Sequence, residues 1–228
     1  MNLLAIETST EACSVALYHA GTIIARSELA PRRHAELVLP MADALLAEAG
    51  LGRRQLDAIA VGRGPGAFTG VRLAVSIAQG MALGLDLPVI PVSSLAALAL
   101  DAPDDGSSVL AVIDARMGEI YAACYRRDAD GVLQALDDER VCPPERLQLP
   151  AGQAWSIIGS GWKTYRSVLA ERLPEPRWAD GERYPQAHAV ALLAAAEFSA
   201  GRALPPEQAL PLYLRDKVAL TLVEQRAR

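Results

Sequence analysis

The chain repeats its own beginning. Leu110-Ala111-Val112-Ile113-Asp114 stands 107 positions after Leu3-Leu4-Ala5-Ile6-Glu7, and in both places four apolar residues end on an acid. Each acid is followed eleven residues later by a tyrosine, Tyr18 and Tyr125, closing a second apolar run. Further on, Ser156-Ile157-Ile158-Gly159-Ser160-Gly161 echoes residues 58–64, an apolar strand entering a glycine turn, and a helical stretch follows at 164–173. Self-similarity at so long a spacing means a duplicated domain rather than a short-repeat solenoid. The expectation is an α/β chain in two halves of related topology, residues 1–101 and a leaner 102–228.

Within the first half, residues 2–6, 14–18 and 22–27 read as strands of an antiparallel meander. An amphipathic helix lies between 31 and 50, with Leu37, Val38, Met41, Leu45 and Leu46 at helical spacing; Pro40 either kinks it or marks its start. A strand at 58–61 then runs into Gly62, Gly64 and Gly66, with Pro65 among them, and a helix follows. Thr69 is placed to cap that helix, and helix N-termini attract anions such as phosphate. The stretch is not a P-loop, which needs Gly-Lys-Ser/Thr where this chain has Gly70-Val71-Arg72. The glycines therefore either cradle a phosphate or serve tight turning and helix packing. A strand at 88–92, a helix at 95–100 capped by Ser93 or Ser94, and a break at 101–108 complete this half. The second half offers a third strand at 131–133, a helix at 186–200, a last turn at 218–222 and a frayed end at 224–228.

From Val71 to Leu85 the only polar side chains are Arg72, Ser76 and Gln79, a thin stripe on an otherwise apolar helix. A helix resting on one sheet should show water a polar half, so this one is covered on a second side, by another element or by another chain. Gly80 and Gly84 permit close approach, and Arg72 can face solvent, phosphate or that other chain. Two halves of this kind face each other across a cleft, where Glu7, Thr8 and Ser9, with Asp114 opposite, can meet phosphates and a metal or simply make hairpin turns. Gly62, Gly64, Gly66 and Thr69 belong to the same candidate phosphate site.

A net charge of −5 argues against a broad basic face for gripping nucleic acid. Cys13, Cys124 and Cys142 form no CxxC and are expected to be free thiols in a reducing compartment. The N-terminus has no basic leader, and no apolar run is read as reaching the roughly 18 residues of a membrane span, so the expected location is cytoplasmic, with no membrane. His19, His34 and His188 are isolated, His34 beside Arg32 and Arg33 reading as a solvated helix start, and no metal site is assigned. No G-x-S-x-G is present, Ser160 has no histidine near it in sequence, and no catalytic residue is assigned.

The opening LLAIETST, the loop GRGPGAFTGVRLAVSIAQGMALGL, the run DARMGEIYAACY, the GSGW turn and the closing PLYLR together are similar to the TsaB family, needed to make threonylcarbamoyladenosine in transfer RNA. The resemblance covers nearly the whole chain in order. It implies a duplicated, ribonuclease H-like fold of the actin, Hsp70 and sugar-kinase type with a reduced second domain. It also implies pairing with the related catalytic subunit TsaD, with the ATPase TsaE joining, self-pairing as a homodimer when alone, and only indirect contact with tRNA. ATP or ADP with magnesium would lie at or near the partner interface. The family pairs through first-domain helices, which carries over to Leu37, Met41 and Leu45 of one helix and Val71, Arg72, Leu73, Val75, Ile77, Ala78 and Met81 of the next. The catalytic relative holds a metal through two histidines four apart; here Ser94 and Leu98 stand in such a stretch, so the implied role is a scaffold or activator without catalysis of its own. The rival readings are a stand-alone ATP-dependent kinase of the same fold and a metallopeptidase.

Overall fold

The computed structural model describes residues 1–151 and 154–215; the turn expected at 218–222 and the end expected to fray at 224–228 lie outside them. Strands β1 (Asn2–Glu7), β2 (Ala12–His19) and β3 (Thr22–Leu29) form the meander, and β4 (Ala58–Gly62) and β5 (Val89–Val92) add to β1 in parallel, giving the order β3-β2-β1-β4-β5. The second sheet takes β6 (Ser108–Arg116), β7 (Glu119–Arg127), β8 (Leu133–Ala135), β9 (Arg140–Cys142), β10 (Trp155–Ile158) and β11 (Trp178–Asp180). Its order is β11-β10-β6-β7-β8, with β9 also on β7. Here β6 and β7 are antiparallel while β6, β10 and β11 are parallel, so each sheet has the same plan. The duplication legible in the sequence is thus a duplication of topology.

Successive strand residues face opposite sides. In β1, Leu4 and Ile6 pack with helices α1 (His34–Glu48) and α2 (Phe68–Leu85), while Leu3 and Ala5 pack on the other face. The helix on that other face is α5 (Ala187–Ser199), through Ala187, Val190, Ala191 and Ala194. The expected division at residue 101 therefore does not separate the two cores. α5 is apolar nearly all round, and beside the first sheet it packs on α3, which covers part of its remaining apolar surface. Helices α3 (Ser94–Leu100) and α4 (Ser160–Arg172) flank the second sheet, α3 through Leu95 and Leu98, α4 through Trp162 and Leu169.

Pro40 does not start α1, which begins at His34 and runs through it; the proline is exposed, on the side where a lost backbone bond faces water. Thr69 is not a cap, because α2 begins at Phe68 after Ala67 and Thr69 lies inside the first turn. Ser93 does cap α3, its Oγ accepting from the Ala96 amide at 3.0 Å. At 18 residues and mean hydropathy 1.3, α2 reaches the length and composition of a membrane span, which corrects the expectation that no run does so; its inner face is packed on the first sheet.

Candidate functional site

The glycine loop closes on the chain itself. Gly62, at the end of β4, lies under the Glu7 carboxylate, and Gly66 and Gly70 lie against the Ser9 and Thr8 carbonyls so closely that a Cβ at any of the three would come within 3.0 Å of those oxygens. Thr8 Oγ1 donates to the Gly70 carbonyl at 2.7 Å, and the Ala67 amide donates to the Ser9 carbonyl at 2.7 Å. Of the two readings left open by the sequence, close packing is the one the backbone adopts here. Glu7, Thr8 and Ser9 are buried, and both Glu7 oxygens are occupied, by the Ser9 amide at 2.6 Å and by Ser94 Oγ at 2.7 Å. Across the seam, Asp114 accepts from the Arg116 amide at 2.8 Å and from its guanidinium at 3.0 Å.

Two buried hydroxyls, Ser9 Oγ and Thr10 Oγ1, find no partner among the described residues, which is the one sign here of a missing polar ligand. The seam they line with Asp114 and Arg116 encloses only about 70 Å³. Ligand pockets run to roughly 300–1,000 Å³. Glu7, Thr8 and Ser9 meet Gly62, Gly66 and Gly70, Asp114 lines the seam with Ser9 and Gly66, Gly64 packs on Val71, Thr69 does not join them, and the seam is too small for a whole nucleotide.

Burial pushes the Glu7 carboxyl above its ordinary value of 4.5, against the hydrogen bonds from Ser9 and Ser94 that pull it down. The fold thus favours the protonated form. The stability this contributes is whole below about pH 4.5, where the unfolded chain is protonated as well, and is lost as pH rises through the raised value. Glu7→Gln keeps the shape and cannot ionise, so its melting temperature should gain on the parent's as pH rises from 4.5. Two parallel profiles would rule out the buried charge as the cause.

Among the described residues, the histidines, Cys13 and Ser160 each have a separate setting. His34 is tied to the first hairpin, its Nε2 lying 2.9 Å from the Thr10 carbonyl, rather than being the solvated residue expected. His19 pairs with Asn2 and His188 with Asp101. Burial pushes the Cys13 thiol up to about 11, away from the reactive thiolate. Ser160 Oγ accepts from the Asp114 amide at 3.1 Å.

The other candidate surface is the outer side of α1 and α2. Val71, Val75 and Ala78 of α2 and Leu45 of α1 are buried in the chain's own core, because their spacing turns them toward the sheet. They support the expected partner face rather than present it. Leu37, Met41, Leu73, Ile77 and Met81 are part-exposed, and Leu39 and Leu83, which the helical spacing leaves off the apolar face, are 48% and 67% exposed. Between the two helices runs a groove of about 520 Å³ lined by Leu39, Ile77, Gly80, Met81 and Gly84. The Asp43–Arg53 ion pair, at 2.7 Å, belongs to its rim. A Cβ at Gly80 or Gly84 would meet nothing.

Of the polar stripe, Ser76 is exposed and has no partner among the described residues. Gln79 donates to the Pro206 and Ala209 carbonyls at 3.0 and 3.1 Å, so the chain's closing segment covers that part. Arg72 donates to the Tyr213 hydroxyl at 2.6 Å, with its guanidinium 3.6 Å from the Phe68 ring centroid and 5.2 Å from that of Tyr213.

A family model described as TsaD, tRNA N6-adenosine threonylcarbamoyltransferase, matches residues 22–221. The tRNA threonylcarbamoyladenosine biosynthesis protein TsaB of Escherichia coli (strain K12) is 43% identical over 226 residues, 96% of each chain. The chain belongs to the TsaB family. The TsaB of Haemophilus influenzae is 42% identical over 229 residues, 96% of this chain and 95% of that one. YeaZ from Pseudomonas aeruginosa superposes with a TM-score of 0.88 at 44% identity, covering 93% of this chain and 99% of the other. The TsaB relatives are named as biosynthesis proteins of tRNA threonylcarbamoyladenosine, and the family model that spans the chain carries the name of the transferase.

Proposed function

We propose that this chain is a scaffold subunit in tRNA threonylcarbamoyladenosine synthesis, presenting the α1–α2 groove to the related catalytic subunit TsaD, with the ATPase TsaE joining the assembly. Free of TsaD, the same face pairs with a second copy of the chain. Transfer RNA is met through the assembly, and ATP or ADP with magnesium belongs at the partner rather than in this chain's seam. The observation that carries the reading is the outward face of α2: Gly80 and Gly84 have open space where a side chain would stand. Glycine inside a helix costs about 1 kcal/mol relative to alanine. Nothing in the packing of the described residues calls for that cost at these two positions, whereas a helix laid closely against them does. A groove floored by Ile77 and Met81 supplies the apolar contact.

Copurification with TsaD tests it. Ile77→Asp or Met81→Asp should abolish pairing, because docking would bury an unpaired charge at a cost of several kcal/mol. Unchanged pairing in both variants would overturn the proposed surface. Reconstituted tRNA modification should need this chain, and modification at the full rate without it would overturn the scaffold role.

A further inference from the structure

The two halves are bridged at their seam by the chain's own cation. Arg116, on the β6–β7 hairpin, donates to Glu11 Oε1 of the first hairpin at 2.6 Å and to Asp114 Oδ2 of its own hairpin at 3.0 Å. Glu11 and Asp114 thus approach from opposite halves with one guanidinium between them. Two carboxylates brought together across a closed seam repel, and a cation between them reverses the sign. Arg116 reaches this place with φ +60°, at the register shift that leads into the two-residue turn of Met117 and Gly118, whose φ values of +58° and +78° are those such a hairpin turn takes. Arg215 ties this hairpin down, donating to the Ala115 and Arg116 carbonyls at 3.0 and 3.3 Å and to Glu119 at 2.6 Å.

We propose that Arg116 is an interlobe latch. It keeps the seam shut without any ligand and thereby fixes the first hairpin and the glycine loop, against which α2 starts, relative to the second half. The idea is independent of the partner reading, since it concerns the isolated chain. Arg116 is 70% exposed and Glu11 36%, so their pair adds little to global stability, and melting is a poor measure of it. Local opening is the better one.

Hydrogen exchange on the isolated chain decides the matter. Arg116→Gln and Glu11→Gln should each raise exchange about fivefold at residues 9–11, 66–70 and 115–118, with β3 unchanged, and the double variant should open no further than Arg116→Gln alone. Glu11→Gln is the informative change, because it turns the charged bond between halves into a weaker neutral one and leaves Arg116 on Asp114. Parent-like exchange at 66–70 in Glu11→Gln, or a response confined to 115–118, would overturn the latch. Should Arg116→Gln lose its fold, Arg116→Lys, which keeps the charge without the two-pronged reach, should give an intermediate rate at 66–70. A parent rate there would count against the latch.

Discussion

Gly70→Ala will unfold this protein's first half more readily than any surface change, with an expected loss of about 3 kcal/mol or more. The added Cβ would fall within 3.0 Å of the Thr8 carbonyl oxygen, an atom of the backbone rather than the end of a flexible side chain. Thr8 cannot step aside, because it is buried and its own hydroxyl is bonded to the Gly70 carbonyl at 2.7 Å. The strain would have to spread into β1, which lies between β2 and β4 in the middle of its sheet. Thermal melting followed by circular dichroism should show a drop of about 10 °C. A variant that melts with the parent would mean that the loop is looser than its packing here, and the seam could then open to admit a ligand.

Ten residues along the same helix, a glycine replacement should do the reverse. Gly80→Leu and Gly84→Leu place their side chains in open space, so the isolated chain should be as stable as the parent or more so, by about 0.8 kcal/mol per site from helix propensity. Association with TsaD should weaken by at least about 100-fold, since a leucine on the groove floor holds an approaching helix away from the contact that the glycines permit. Sedimentation of mixed subunits, with melting of the single chain beside it, separates the two effects. Loss of pairing together with loss of stability would point to simple misfolding, and pairing at parental strength would remove the glycine argument for the docking face.

Much of the architecture was legible before any coordinates. The acid-ended strand at positions 3–7 and its echo at 110–114 became the equivalent strands β1 and β6. The over-apolar helix at 71–85 became α2, with Gly80 and Gly84 on its open side. Individual roles were less legible. Val75 and Ile77 look alike in a list of apolar residues, yet one is buried and the other lines a groove. Gly62 and Gly66 could equally cradle a phosphate or serve close packing, and they admit the Glu7 carboxyl and the backbone of Ser9. Arg72, open to three readings, is bonded to a tyrosine 141 residues away.

Local order in this protein follows from sequence alone: strand alternation, the helical stripe, the glycine turn and the duplicated plan depend on residues close along the chain or on a pattern repeated within it. The tertiary structure decided which half α5 covers, why Glu7 is buried under Ser94 from 87 positions away, and how little space the seam encloses. Those outcomes depend on how surfaces from distant segments meet, and the energy of such a meeting is a property of the packed pair, written in neither segment by itself.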